Sequence, residues 1–111
     1  MHEYGLASRL ADEALDRAQG RPLKKVLLNV GALASGMVEP LRLYLDLAFE
    51  EKGLSKVSVE ARVTPAACRC SCGMEYEINK MTDGCPACGS FQRQILRGRD
   101  CVVESVEVGK A

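Results

Sequence analysis

Six cysteines in a chain of 111 residues constrain this sequence more than any other feature. Cys68, Cys70 and Cys72 form one tight cluster, Cys85 and Cys88 a second, and Cys101 stands alone in a segment of strand character. Disulfides and a bound metal are the competing uses for them. No basic stretch followed by an apolar one marks the N-terminus, and the apolar runs are a few residues long where a membrane span needs roughly 18. The expected location is therefore the cytoplasm, with no membrane partner. Thiols there are kept reduced, which favours metal over disulfides.

A structural zinc(II) is held by four ligands at about 2.3 Å, commonly supplied as two cysteine pairs from two short loops. Cys85-Pro86-Ala87-Cys88-Gly89 is such a loop: two intervening residues let both sulfurs face inward, and the glycine lets the chain keep turning. Cys72-Gly73 reads as the end of the partner loop. Its other member is open, because Cys70 lies one residue before Cys72 and Cys68 three residues before it. In an extended segment Cys70 and Cys72 share a face, whereas Cys68 needs a tighter reversal. The expected ligands are thus Cys70, Cys72, Cys85 and Cys88, with Cys68 as the substitute for Cys70. Cys101 is expected in a core. A four-thiolate zinc leaves no open position for water or substrate, so the ion is expected to hold a fold together, and no enzymatic activity is expected.

Around the cysteines the chain alternates helical and strand patterns. Ala7, Leu10, Ala11, Ala14, Leu15 and Ala18 recur at three- and four-residue spacing, which predicts an amphipathic helix over residues 3–19, stopped by Gly20-Arg21-Pro22. Residues 24–30 read as a strand apolar on both faces apart from Asn29, and residues 31–36 as a loop. Glu39-Pro40 opens a second helix, which runs to Lys52-Gly53. From Lys56 to Thr64 the period changes to two, the mark of a half-buried strand. Residues 67–90 form the cysteine segment. Two strands, 91–96 and 101–108, then follow, joined across Gly98-Arg99-Asp100. This order implies an α+β fold in which residues 67–90 are an insertion into a domain formed by 1–66 and 91–111.

The balance of 15 basic against 15 acidic residues leaves no net charge, and aromatic residues make up 5% of the chain. Nucleic-acid binding wants a basic surface or stacking platforms, so no nucleic-acid partner is expected.

The single histidine, His2, stands next to the amino terminus. The amine, the intervening amide nitrogen and the ring nitrogen can close adjacent chelate rings around one ion. Nitrogen donors in a plane suit nickel(II) or copper(II) rather than calcium or magnesium. The amine titrates near about pH 8, so such a site should weaken in acid. Glu3 can add a carboxylate oxygen or its own amide nitrogen.

Taken together, Met1-His2-Glu3, Val30-Gly31, Glu39-Pro40-Leu41 opening a helix that ends in Ala48-Phe49, and Cys85-Pro86-Ala87-Cys88-Gly89-Ser90 resemble the HypA/HybF family of hydrogenase nickel-incorporation proteins. The resemblance runs along the whole chain. It implies a nickel metallochaperone with two helices packed on a small three-stranded mixed sheet and a zinc-ribbon insertion. It also implies transient nickel(II) held at His2 and Glu3, on a mobile terminus, and structural zinc(II) held by Cys72, Cys85, Cys88 and a fourth cysteine. In the family the first loop has two residues between its cysteines; here Arg69 occupies the expected slot, which leaves Cys70 or Cys68. The implied partners are a nickel-handling GTPase of the hydrogenase maturation system and the hydrogenase large subunit, with a route to urease in some organisms. The alternative is a zinc-ribbon protein-interaction module without nickel function.

Overall fold

Helix α1 (His2–Ala18) buries Ala7, Leu10, Ala11, Ala14 and Ala18 along one face and ends where Gln19 and Gly20 turn out of the helix. These elements come from a computed structural model that describes residues 2–54 and 56–110; the side chains of residues 2–4 lie outside the description. Strand β1 (Leu23–Gly31) follows, then a 3-10 helix (Ala32–Met37) where a loop was expected, and helix α2 (Val38–Glu51). The remaining elements are strands: β2 (Ser58–Thr64), β3 (Ala66–Cys70), β4 (Glu75–Ile78), β5 (Arg93–Arg97) and β6 (Cys101–Val108). They form two three-stranded sheets, ordered β2-β1-β6 and β4-β3-β5.

The contacts divide the chain into two units, one of Met1–Asn29, Met37–Arg62 and Val102–Ala111, the other of Val30–Gly36 and Val63–Cys101. In the first, α1 packs on α2. Leu41, Leu45, Ala48 and Phe49 are buried on α2, as are Val26 and Leu28 on β1, Val59 on β2 and Val103 on β6. Lys52 at the end of α2 pairs with Asp12 of α1 at 2.9 Å. Strand β1 was expected to be buried on both faces, but Lys25, Leu27 and Asn29 are only half-buried. That face is polar instead. Lys25 pairs with Glu60 at 3.0 Å, and the Asn29 amide donates to the Glu104 carboxylate at 3.0 Å, which Arg62 also engages. Asn29 is the residue that marks the face: an amide needs a polar partner, and the Glu104 carboxylate of the neighbouring strand β6 supplies it.

In the second unit β3 is the central strand, antiparallel to both neighbours. Cys68 lies opposite Tyr76 of β4 and Ile95 of β5, and Cys70 opposite Arg93. A register irregularity between Ala67 and Cys68 interrupts the pairing with β5. The core is small: Ala66, Cys68 and Ile78, with Leu33, Tyr76 and Ile95 packed against them. The strand expected at 91–96 is thus β5, displaced to 93–97, and it belongs to a different sheet from β6. Its one half-buried apolar side chain, Ile95, finds an apolar partner over Cys68, so pairing with β3 buries what little the strand offers.

Candidate metal centre

Strand β3 ends on Cys70, and the chain turns at once through Ser71, Cys72 and Gly73. The Cys70 N–H donates to the Met74 carbonyl at 2.8 Å, and the Gly73 N–H donates back to the Cys70 carbonyl at 2.9 Å. Between β4 and β5 a second turn closes in the same way. Here the Cys85 N–H donates to the Ser90 carbonyl at 3.0 Å, and the Gly89 N–H to the Cys85 carbonyl at 2.7 Å. Gly73 and Gly89 both adopt positive φ, +95° and +74°, which a residue with a Cβ resists. The two turns are equivalent, except that the first is one residue shorter. A gap of a single residue between Cys70 and Cys72 therefore still brings both thiols round to the same side.

The four sulfurs of Cys70, Cys72, Cys85 and Cys88 lie within 4.8 Å of one another. The Sγ atoms of Cys70 and Cys88 are 3.5 Å apart, and those of Cys72 and Cys85 are 3.8 Å apart. These separations are far longer than a disulfide bond of about 2.05 Å. They match the edge of a tetrahedron, about 3.8 Å, generated by four sulfurs each about 2.3 Å from a central zinc. Cys70 and Cys85 are buried while Cys72 and Cys88 are exposed. The donor set and spacing are compatible with zinc.

Protonation in the cluster points the same way. The backbone N–H of Cys72 stabilises the Cys70 thiolate and, with help from the neighbouring thiols and against burial, lowers it to about 6. At Cys88 the Ser90 N–H acts to lower the thiol, but hydrogen bonding to Cys70, burial and the other two cysteines outweigh it and push it up to about 12. Four thiols sharing one point cannot all ionise side by side. A divalent cation removes that conflict, and its binding releases protons.

Cys68 lies outside this group, wholly buried in the small core with Ala66 and Ile78. Cys101, expected in a core, is half-buried at the start of β6, where burial raises its thiol. For His2 and Glu3, helix α1 begins at His2, but their side chains, and with them the expected mobile terminus, lie outside the described residues. Met74, not singled out in the sequence, and Ser90, which entered only as the last residue of a motif and with no role, supply the carbonyls that close the turns. The signal for them is that each directly follows a Cys-Gly pair.

Among the described residues, no helix is long and apolar enough to cross a membrane. A family model described as "Hydrogenase/urease nickel incorporation, metallochaperone, hypA" matches residues 1–108. A hydrogenase maturation factor HypA from Francisella philomiragia is 30% identical over 109 residues, spanning 96% of this chain and 97% of the relative. The protein of the same name from Acidithiobacillus ferrooxidans is 32% identical over 112 residues, spanning 97% and 99%. Among solved structures, the solution structure of the Ni metallochaperone HypA from Helicobacter pylori superposes with a TM-score of 0.69 at 18% identity, covering 96% of each chain. That likeness shows a shared fold.

Proposed function

Because the chain belongs to the HypA family of hydrogenase/urease nickel-incorporation metallochaperones, we propose that it carries one nickel(II) at its N-terminus and delivers it for maturation of [NiFe]-hydrogenase. The observation that carries this reading is the family match from residue 1 to residue 108, which takes in both His2 and the four-cysteine cluster. His2 provides the imidazole, and Glu3 and the terminal amine contribute further donors. Zinc(II) is held by Cys70, Cys72, Cys85 and Cys88.

The two metals do different work. Four thiolates enclose zinc completely, so it organises the cysteine-bearing unit and takes no part in transfer. Cargo must be held against the surrounding pool and still released, which suits a few exchangeable nitrogen and oxygen donors better than a closed cage. A carrier of this kind performs no catalysis. A nickel-handling GTPase of the hydrogenase maturation system delivers or receives the ion, the hydrogenase large subunit is its destination, and the work is done in the cytoplasm.

Calorimetric titration of the tag-free, zinc-loaded chain tests the reading. One nickel(II) per chain is expected, with affinity falling as the pH is lowered and the nitrogen donors take up protons. His2→Ala should abolish nickel uptake and keep zinc. Extending the chain ahead of Met1 turns the amine into an amide and should cripple binding. Uptake unchanged in both variants, or accounted for entirely by displaced zinc, would overturn nickel carriage and leave a zinc-ribbon interaction module.

A further inference from the structure

One side chain ties the two cysteine turns together without touching the metal position. Arg93 sits on β5 directly opposite Cys70 of β3, so its backbone belongs to the strand pair that presents the first turn. Its guanidinium points the other way along the chain, into the segment that leads to the second. One terminal nitrogen donates to the Met81 carbonyl at 2.6 Å, and the other donates to the Asp83 carbonyl and to the Tyr76 hydroxyl, the latter at 3.1 Å. Cys85 follows two residues after Asp83.

The 80–83 segment is already closed on itself. The Asp83 carboxylate accepts the backbone N–H groups of Asn79 and Lys80 at 3.2 and 3.3 Å. The Phe91 ring stacks on the Arg93 guanidinium at 5.8 Å. Meanwhile the Arg93 Nε is buried without a hydrogen-bond partner. Leaving a buried donor unpaired is unfavourable, and a planar fork that does so while spanning two carbonyls is set by position rather than by solvation.

We infer that Arg93 is the positioning residue that holds the Cys85–Cys88 turn at the separation from Cys70 and Cys72 that four-sulfur metal binding requires. The inference rests on the zinc reading above. Lysine keeps the charge at this position but donates from one nitrogen on a flexible stem, so it lacks the two separated, coplanar nitrogens with which the guanidinium fixes both carbonyls at once. The short first turn makes the brace more important, because a one-residue gap leaves less slack with which Cys70 and Cys72 could follow a displaced partner loop.

Cobalt(II) substituted for zinc in the full chain reports the geometry through its d–d and thiolate-to-metal absorption, and transfer of zinc to a chromogenic chelator reports retention. Wild type should show the bands of a tetrahedral thiolate site. Arg93→Ala should show weakened, shifted bands and release zinc about 10- to 100-fold faster, the range found when outer supports of a metal site are removed. Arg93→Lys should fall between the two and, because it keeps charge and bulk, it decides the matter if Arg93→Ala does not fold. Tyr76→Phe removes one bond but neither carbonyl contact and should leave both readouts unchanged. If Arg93→Lys keeps the wild-type bands and releases zinc within about twofold of wild type, or if Tyr76→Phe disturbs both readouts as much as Arg93→Ala does, the brace is overturned while the zinc reading stands. Absence of thiolate-to-cobalt bands in wild type would overturn both.

Discussion

Helix α1 and helix α2 bring a run of alanines, three leucines and Phe49 into the first unit's core, to which Val26, Leu28, Val59 and Val103 of the sheet add. In the second unit the core cluster is Ala66, Cys68 and Ile78, edged by Leu33, Tyr76 and Ile95, and the other buried apolar side chains are mostly small, Val30, Ala32, Ala34 and Ala67. Apolar burial scales with the area removed from water, so the first unit has a driving force of its own and the second has little. The same unit gathers four sulfurs at one point, a donor set compatible with a metal cross-link. A unit with so small a core is expected to depend on what its four thiols bind, and the helical unit is not.

The strongest test of that contrast is removal of zinc. Metal-coupled folding of small thiolate sites is worth on the order of 10 kcal/mol, so chelation should collapse the amide spectrum of residues 63–101 and leave the helical circular dichroism of α1 and α2 in place. Loss of the helices as well would break the comparison. Cys85→Ser should reproduce the chelated state, while Cys68→Ala should keep one zinc per chain. Next in size is the converse lesion. Phe49→Ala removes a side chain that is 2% exposed and should destabilise the helical unit by about 3–5 kcal/mol in chemical denaturation, with zinc release unchanged.

Glu104 sharpens the picture on the polar face of the first sheet. Its carboxyl lies below the ordinary value of 4.5, chiefly through the Asn29 amide and then through Arg62. A depressed folded pKa means that the stabilisation is fully present above 4.5 and is lost as pH falls through the lower folded value. Glu104→Gln should therefore flatten the acid limb of the stability profile, measured by denaturant titration in mildly acidic buffers. A limb as steep as wild type would remove the pair from the account. The smallest effect is expected from Lys52 and Asp12, whose side chains are 33% and 63% exposed. A double-mutant cycle should give no more than about 1 kcal/mol, falling with salt.

Much of this was legible in the residues. Ala7 to Ala18 and Leu41 to Phe49 carry helical period within themselves, and a period of 3.6 needs no distant partner to be read. The cysteine turns are equally local, since Cys-Gly at the end of each announces both the ligand and the reversal. Residues 66–78 concealed two strands, because the cysteine spacing masks the alternation that would have revealed them.

What the tertiary structure alone decided is pairing. Cys68 and Cys70 stand two apart on one strand and share a face, so nothing in their spacing separates them. Ile78, Tyr76 and Ile95, brought over Cys68 by neighbouring strands, put it in a core and leave Cys70 at the strand's end with the other three thiols. Whether β5 lies beside β6 or beside β3 is the same kind of choice, and so is the reach of Arg93 back to Met81 and Asp83. Each depends on which segments meet across a sheet, a competition between distant partners for limited apolar area and unpaired backbone groups, and a local pattern carries no record of who the competitors are.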